Sequence, residues 1–343
     1  MTAVQHKLHA LGFDPDASAF LSRHLAAGIA LKSLNGDAST RRYFRAIDAG
    51  YLVMEDRKAP LPFASFVRLS AHLTALGLSA PQVYAHSDAH CVALLEDFGA
   101  STYGRLLADG YDEHALYQLA VSTLVHLHRQ SAATHVDVPL FSIERLLEEL
   151  SVFSNWFAPL LRPDLNVETF DHAFRGVWSD ALMRLPKAPQ TLVLRDFHID
   201  NLIFLQHREG VRRCGLLDFQ DALIGAPEYD LVSLLQDARR ELAEGLEAKM
   251  FEQYVSELGL SDVQAAEAQR RYTVLGAQRH TRIAGVFVRL DQRDGKPGYL
   301  RFLPRVLRQM QAALQSAQLQ DIASFLDQEL PGWRAIGTSI NTG

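Results

Sequence analysis

Apolar residues recur at helical spacing over residues 4–11 and 17–27, which predicts two short helices at the start of the chain. The pattern then changes. Ile29-Ala30-Leu31 leads into a turn-forming cluster at 35–39, and residues 42–47 read as a strand. Asp48-Ala49-Gly50 is a hairpin turn, and residues 51–54 form the next strand. Pro60 and Pro62 are expected to break the chain before an amphipathic helix over 63–76, which ends at Gly77. Two further strands follow at 82–85 and 91–95, so this part predicts a sheet of about five strands with a helix packed on it. Beyond Glu96-Asp97-Phe98-Gly99 the spacing is helical, over 113–129, 143–153, 170–185, 231–243, 250–258 and 265–290. Strands return only at 191–194, 202–205 and 213–217. The expected fold class is α+β and two-lobed: a small β-rich N-lobe (1–95), a hinge (96–99) and a larger, mainly helical C-lobe (100–343). A nucleotide would lie in the cleft between such lobes.

Composition narrows the class only a little. A chain of 343 residues suits two lobes, and 48% apolar with 22% charged residues is an ordinary globular balance. The net charge of −6 argues against a dedicated nucleic-acid binder. Cys91 and Cys214 sit in apolar, strand-like runs with no metal spacing, as expected of buried thiols in a reducing cytosol. The first ten residues lack a signal-peptide pattern, and no run of eighteen apolar residues predicts a membrane span. A cytoplasmic location is therefore expected.

The chemistry concentrates at 195–201, Arg-Asp-Phe-His-Ile-Asp-Asn, and at 216–220, Leu-Leu-Asp-Phe-Gln. Strand 191–194 delivers Asp196 at its end, and the loop brings Asn201 back before the next strand. A hairpin over 202–217 then returns Asp218 to the neighbourhood of Asn201. A short acidic loop by itself is also an ordinary turn. Convergence with Asp218 favours chemistry, because hard oxygen ligands are what Mg²⁺ takes. This is equipment for moving a phosphoryl group from a nucleotide to a hydroxyl: Asp196 as proton acceptor, Asn201 and Asp218 as magnesium ligands. Asp230 follows Pro227 at a helix start, where it serves either as an N-cap or as a brace behind the catalytic loop.

These motifs resemble the aminoglycoside phosphotransferase and choline kinase superfamily, the small-molecule branch of the protein-kinase-like fold. The resemblance covers nearly the whole chain and implies ATP and Mg²⁺ as cofactors, Asp196 as the base and Asp230 as a structural partner. Two features depart from the pattern. Leu194-Arg195 precedes the aspartate where a histidine two residues before it is common, and the histidine here is His198. Arg195 suits either a phosphate or Asp218. The lysine usual on the strand at 51–54 is replaced by Met54-Glu55-Asp56, which leaves Arg42 or Arg45 to substitute. Residues 36–45, in the position of the phosphate loop, hold one glycine, Gly36. Ser39 and Thr40 leave room for backbone N–H groups to approach phosphates, and arginines supply charge. A solvated polar hairpin is the plainer alternative. Glu96 and Phe98 lie at the expected hinge, where backbone groups bind adenine and side chains leave ATP or GTP open.

Four stretches, 36–45, 194–201, 216–222 and 289–297, resemble the cell-wall sugar kinases of this superfamily, which phosphorylate N-acetylmuramate and N-acetylglucosamine at the anomeric hydroxyl. That likeness implies a sugar 1-phosphate product passed to a nucleotidyltransferase in peptidoglycan recycling. Candidate sugar-binding residues are His198, Asp200, Gln220, Arg279 and Arg282, the arginines suiting a muramate carboxylate. Phe153, Trp156 and Phe157 read better as helix packing than as a sugar platform. An acidic face at Glu144, Glu148 and Glu149 suits an aminoglycoside, or is plainly solvated. Choline and homoserine are alternative acceptors. Two rivals of other classes are a nucleotide-binding pseudokinase, motivated by the absent lysine, and a metallohydrolase using Asp196, His198, Asp200 and Asp218.

Overall fold

The computed structural model describes residues 2–34 and 41–335. The chain divides into two compact units. One runs to Val138 and takes in Ile199–Ala222; the other comprises Pro139–His198 and the chain from Leu223 onward. Nine strands occur among the described residues: β1 Leu31–Leu34, β2 Arg42–Ala46, β3 Tyr51–Glu55, β4 Val83–Ser87, β5 Val92–Glu96, β6 Thr191–Val193, β7 Leu202–Phe204, β8 Cys214–Leu216 and β9 Leu223–Gly225.

The first unit is built on a five-stranded antiparallel sheet in the order β1-β2-β3-β5-β4. The β2–β3 hairpin turns where expected, with Asp48 and Gly50 both left-handed (φ 58° and 70°), a conformation that glycine and aspartate tolerate best. Helices Ala3–Ala10 and Pro15–Ser22 are capped by Thr2 and Asp14. They bury Leu8, Phe13, Ala17 and Leu21 with Phe44, Val53, Val92 and Leu94. Pro60 does not break the chain before the next helix. It opens that helix, Pro60–Ala75, because the first turn needs neither its missing N–H nor a free φ.

Hairpin β7–β8 joins this unit through Ser79, whose carbonyl accepts from the Leu216 N–H at 2.7 Å and whose hydroxyl donates to the Arg212 carbonyl at 2.7 Å. The helix Glu113–Arg129 also belongs here.

The second unit is organised by the helix Asp262–Gln292, which begins in a Ser261–Gln264 capping box. Beside it runs an aromatic ladder, Phe153, Phe157, Phe170, Phe174 and Trp178, with ring centroids 4.7–6.3 Å apart between neighbours. Each fully buried ring contributes about 2–3 kcal/mol. Phe153 and Phe157 are thus core residues, as their packing pattern suggested, and they form a one-turn π-helix, Phe153–Phe157. Gly285 lets the long helix approach that turn: a Cβ there would lie 2.5 Å from the Val152 carbonyl.

The helix expected over 231–243 is shorter, Glu228–Leu235, because Asp237 accepts the Arg239 N–H at 2.9 Å and turns the backbone away. Helices Leu303–Leu314 and Gln320–Glu329 were not anticipated, although Leu303, Val306, Leu307, Met310 and Leu314 mark a buried helical stripe. Among the described residues no helix is long and apolar enough to cross a membrane.

Candidate active site

The loop at 195–201 contributes its first four residues to the second unit and its last three to the first. In the second unit, β6 pairs with β9 and hands the chain to Leu194. Arg195 is left-handed (φ 70°), which costs about 1–3 kcal/mol in a non-glycine residue. The fully buried Asp230 compensates. One of its carboxylate oxygens accepts the Leu194 N–H at 2.6 Å and the other accepts the Arg195 N–H at 2.8 Å. Asp230 is therefore a brace for the loop. It is not the N-cap of its own helix, which has no side-chain cap bond. Its carboxyl is pushed up to about 7, by burial against the opposing backbone hydrogen bonds.

Asp196 stands next on the loop with its side chain 41% exposed. Burial of the loop raises its carboxyl, but Arg279, then His198, Arg282 and Arg195, outweigh that and hold it below the usual carboxylate range. Arg279 Nη2 lies 3.8 Å from Asp196 Oδ1. Arg279 is itself buried, and its Nη1 donates to the Tyr229 hydroxyl at 3.4 Å. Arg195 pairs with Glu149 at 2.5 Å. Arg282 approaches the same Glu149 at 3.3 Å. Two guanidiniums thus neutralise Glu149.

His198 is buried, with Arg239 Nη1 3.4 Å from its Nε2 and Asp237 among its charged neighbours. Burial, its largest influence, lowers its pKa and favours the neutral ring at pH 7.

In the first unit, the Leu217 N–H donates to the Asn201 carbonyl at 3.0 Å and closes the β7–β8 hairpin. Asn201 Nδ2 and Asp218 Oδ2 lie 3.5 Å apart. Asp218 is left-handed (φ 58°) and exposed. Gln220 Nε2 donates to Asp218 Oδ1 at 2.8 Å, while Gln220 Oε1 accepts from Arg41 Nη1 at 2.7 Å. Arg41 is buried, with its Nε donating to Asp56 Oδ2 at 2.7 Å and its guanidinium over Phe66. Phe66 in turn stacks on Phe219 at 5.1 Å. Gln220 therefore orients Asp218.

The arginine bonded to Gln220 is Arg41. Arg42 binds Glu55 and the Leu11 carbonyl, and Arg45 makes a two-pronged pair with Asp97 at 2.5 and 2.9 Å. Gly36, Ser39 and Thr40 lie outside the described residues. Asp200 rests against Gly104, where a Cβ would collide with its Oδ1. At the expected hinge, Glu96 pairs with Arg208 and its N–H donates to the Gln82 carbonyl at 2.8 Å. The Phe98 ring covers Gly215.

Asp218 and the Asn201 amide form a sparse oxygen set. Turning the amide by half brings its oxygen to the position of its nitrogen. Such a set fits Mg²⁺, which is bound by one or two carboxylates and completed by phosphate and water. Among the described residues no group of three His, Cys, Asp or Glu side chains is placed to hold a metal.

An antiparallel sheet unit, a helical unit, a braced aspartate and an Asn–Asp pair on a hairpin define a kinase-like transferase. The chain belongs to the phosphotransferase enzyme family, whose model matches residues 30–268. It is 32% identical to the N-acetylmuramate/N-acetylglucosamine kinase of Caulobacter vibrioides, with 92% of this chain and 96% of that protein aligned. It is 33% identical to the protein of the same description from Neisseria meningitidis, over 79% of this chain and 81% of that one. Among solved structures it resembles a choline/ethanolamine kinase family protein from Mesorhizobium loti, with a TM-score of 0.60 and 15% identity, covering 91% of this chain and 99% of that one. The sheet-bearing N-terminal region and helical C-terminal region are those of this fold.

Proposed function

We propose that this chain is an ATP- and Mg²⁺-dependent kinase that phosphorylates the anomeric hydroxyl of N-acetylmuramate and N-acetylglucosamine. The observation that carries the reading is Asp196, a solvent-open carboxylate kept ionised by surrounding cations on a loop braced by Asp230. The names of the Caulobacter and Neisseria relatives supply the acceptor.

The acceptor oxygen attacks the γ-phosphorus as the bond to the ADP oxygen breaks, and its proton passes to an Asp196 oxygen and then to solvent. Asn201 and Asp218 would hold Mg²⁺, which supplies charge neutralisation at the phosphates. Gln220 and Arg41 keep the Asp218 carboxylate oriented. Arg41, with Asp56, stands in for the usual lysine of this fold. Residues 36–40 contribute phosphate-binding N–H groups. The hinge at 96–99 receives adenine, consistent with a Phe98 N–H that donates to no described residue. The enzyme works in the cytoplasm, and its sugar 1-phosphate is the substrate of a nucleotidyltransferase.

The test is nucleotide consumption with N-acetylmuramate, N-acetylglucosamine, kanamycin and choline, followed by phosphorus NMR of the product. Turnover of the two N-acetyl sugars with a phosphate on C1 is expected. Turnover of kanamycin or choline alone overturns the reading, and nucleotide binding without any turnover replaces it with a pseudokinase.

A further inference from the structure

The long helix Asp262–Gln292 carries Arg279, Arg282 and Arg289, and Arg293 follows at its C-cap. Spacings of three, seven and four residues put all four on one stripe. Three have carboxylate partners: Arg279 faces Asp196 at 3.8 Å, Arg282 faces Glu149 at 3.3 Å, and Arg293 binds Asp294 at 2.7 and 3.1 Å. Arg289 has no ion-pair or hydrogen-bond partner among the described residues, and its Nε is buried.

The guanidinium of Arg289 is also crowded by like charge. Burial, then the charges of Arg293 and Arg282, push its pKa below the usual arginine value, only partly offset by Asp294. Of its two arginine neighbours, Arg282 pairs with Glu149 and Arg293 with Asp294. An arginine kept partly buried without a counterion is an incomplete site, and the planar, two-pronged partner it lacks is a carboxylate.

Its place relative to the base is informative. Arg279 touches Asp196, and Arg282 is about 4.5 Å further along the helix axis. Arg289 lies about two turns beyond Arg282, and long helical side chains lean back toward the N-terminus. Gly285 seats the intervening turn directly on Val152 and Phe153, which fixes the helix carrying Glu149 beside Arg282. The stretch 289–297 has further parts with structural duties. Gly295 (φ 64°) and the bond from the Lys296 N–H to the Leu290 carbonyl at 2.9 Å end the helix. These duties leave Arg289 unexplained.

We propose that Arg289, with Arg282, forms a carboxylate subsite that receives the lactyl carboxylate of N-acetylmuramate while C1 of the sugar faces Asp196. The inference rests on the function proposed above. N-acetylglucosamine lacks this carboxylate, so the subsite acts on one acceptor and not the other.

The experiment compares kcat/KM of the full chain and its Arg289→Gln and Arg289→Lys variants for the two sugars. Arg289→Gln is expected to lose about tenfold or more on N-acetylmuramate, mainly through KM, and less than about twofold on N-acetylglucosamine. Arg289→Lys, which keeps the charge, recovers part of the loss. Equal losses on both sugars, or no loss on either, overturn the subsite.

A second measurement is independent of turnover. Sodium D-lactate, the carboxylate fragment alone, should raise the melting temperature of the unmutated protein more than that of Arg289→Gln. Equal shifts overturn the subsite even if the protein proves to act on neither sugar. Failure of the unmutated protein to turn over both sugars, with lactate stabilisation intact, instead overturns the proposed acceptor.

Discussion

The first unit holds Asp218, the proposed magnesium ligand, by hydrogen bonds passed along a chain of side chains, Arg41 to Gln220 to Asp218. The second holds Asp196, the proposed base, differently. Asp196 is aimed by backbone bonds made one residue earlier, to Asp230, and is kept ionised by a field of arginines. A magnesium ligand needs a fixed orientation, and the ion itself neutralises its charge. A base needs an ionised oxygen that solvent and an acceptor can reach. One unit therefore spends its polar groups on the functional carboxylate itself, and the other spends them on the loop beneath it.

The sharpest break in this contrast is Asp196→Asn. It should lower kcat by about 10²- to 10⁴-fold while leaving nucleotide affinity within a few fold, measured by steady-state kinetics and equilibrium binding. Near-normal turnover would remove Asp196 from the chemistry. Asp230→Ala comes next. Losing two bonds to a buried carboxylate should cost about 3 kcal/mol in urea denaturation and reduce kcat as well. A stable variant with normal kcat would mean that the loop needs no brace.

The third effect depends on pH. His280 is fully buried, donates through Nε2 to Gln236 Oε1 at 2.8 Å, and is lowered by burial to about 3. Its unfolded form takes up a proton near 6.5 while the folded form stays neutral, so stability is full above pH 6.5 and falls on acidification toward 3. At pH 5 the loss is about 2 kcal/mol, and His280→Gln should flatten that slope. An unchanged slope would assign the acid sensitivity to other groups. The smallest effect is that of Gln220→Ala, which should raise the Mg²⁺ concentration needed for half-maximal activity about tenfold. An unchanged magnesium requirement would show that Asp218 orients itself.

Legibility followed sequence distance. Asn201 and Asp218 flank one hairpin whose strand pattern is local, and their proximity could be read directly. The strand boundaries of the sheet were legible for the same reason, with Asp48 and Gly50 marking the turn. Which of three neighbouring arginines serves Asp218 was not legible. Arg41, Arg42 and Arg45 are chemically alike, and only the folded sheet sends Arg41 to Gln220, 179 positions away. Glu149 was misleading in the same manner. On its own helix it looks like part of an acidic face, and only packing at Gly285 and the course of the catalytic loop bring two arginines to it.

By itself the sequence determined the order of strands and helices, the loop and hairpin that carry Asp196 and the Asn–Asp pair, and the kinship those motifs signal. Those features are written in periodicity, turn residues and short spacings, which act over a few positions. The tertiary structure decided the charge partners: Asp230 beneath the loop, Arg41 behind Asp218, Glu149 shared by two guanidiniums, and Arg289 left without a carboxylate among the described residues. Ion pairing depends on distance and burial in space, and residue type alone encodes neither.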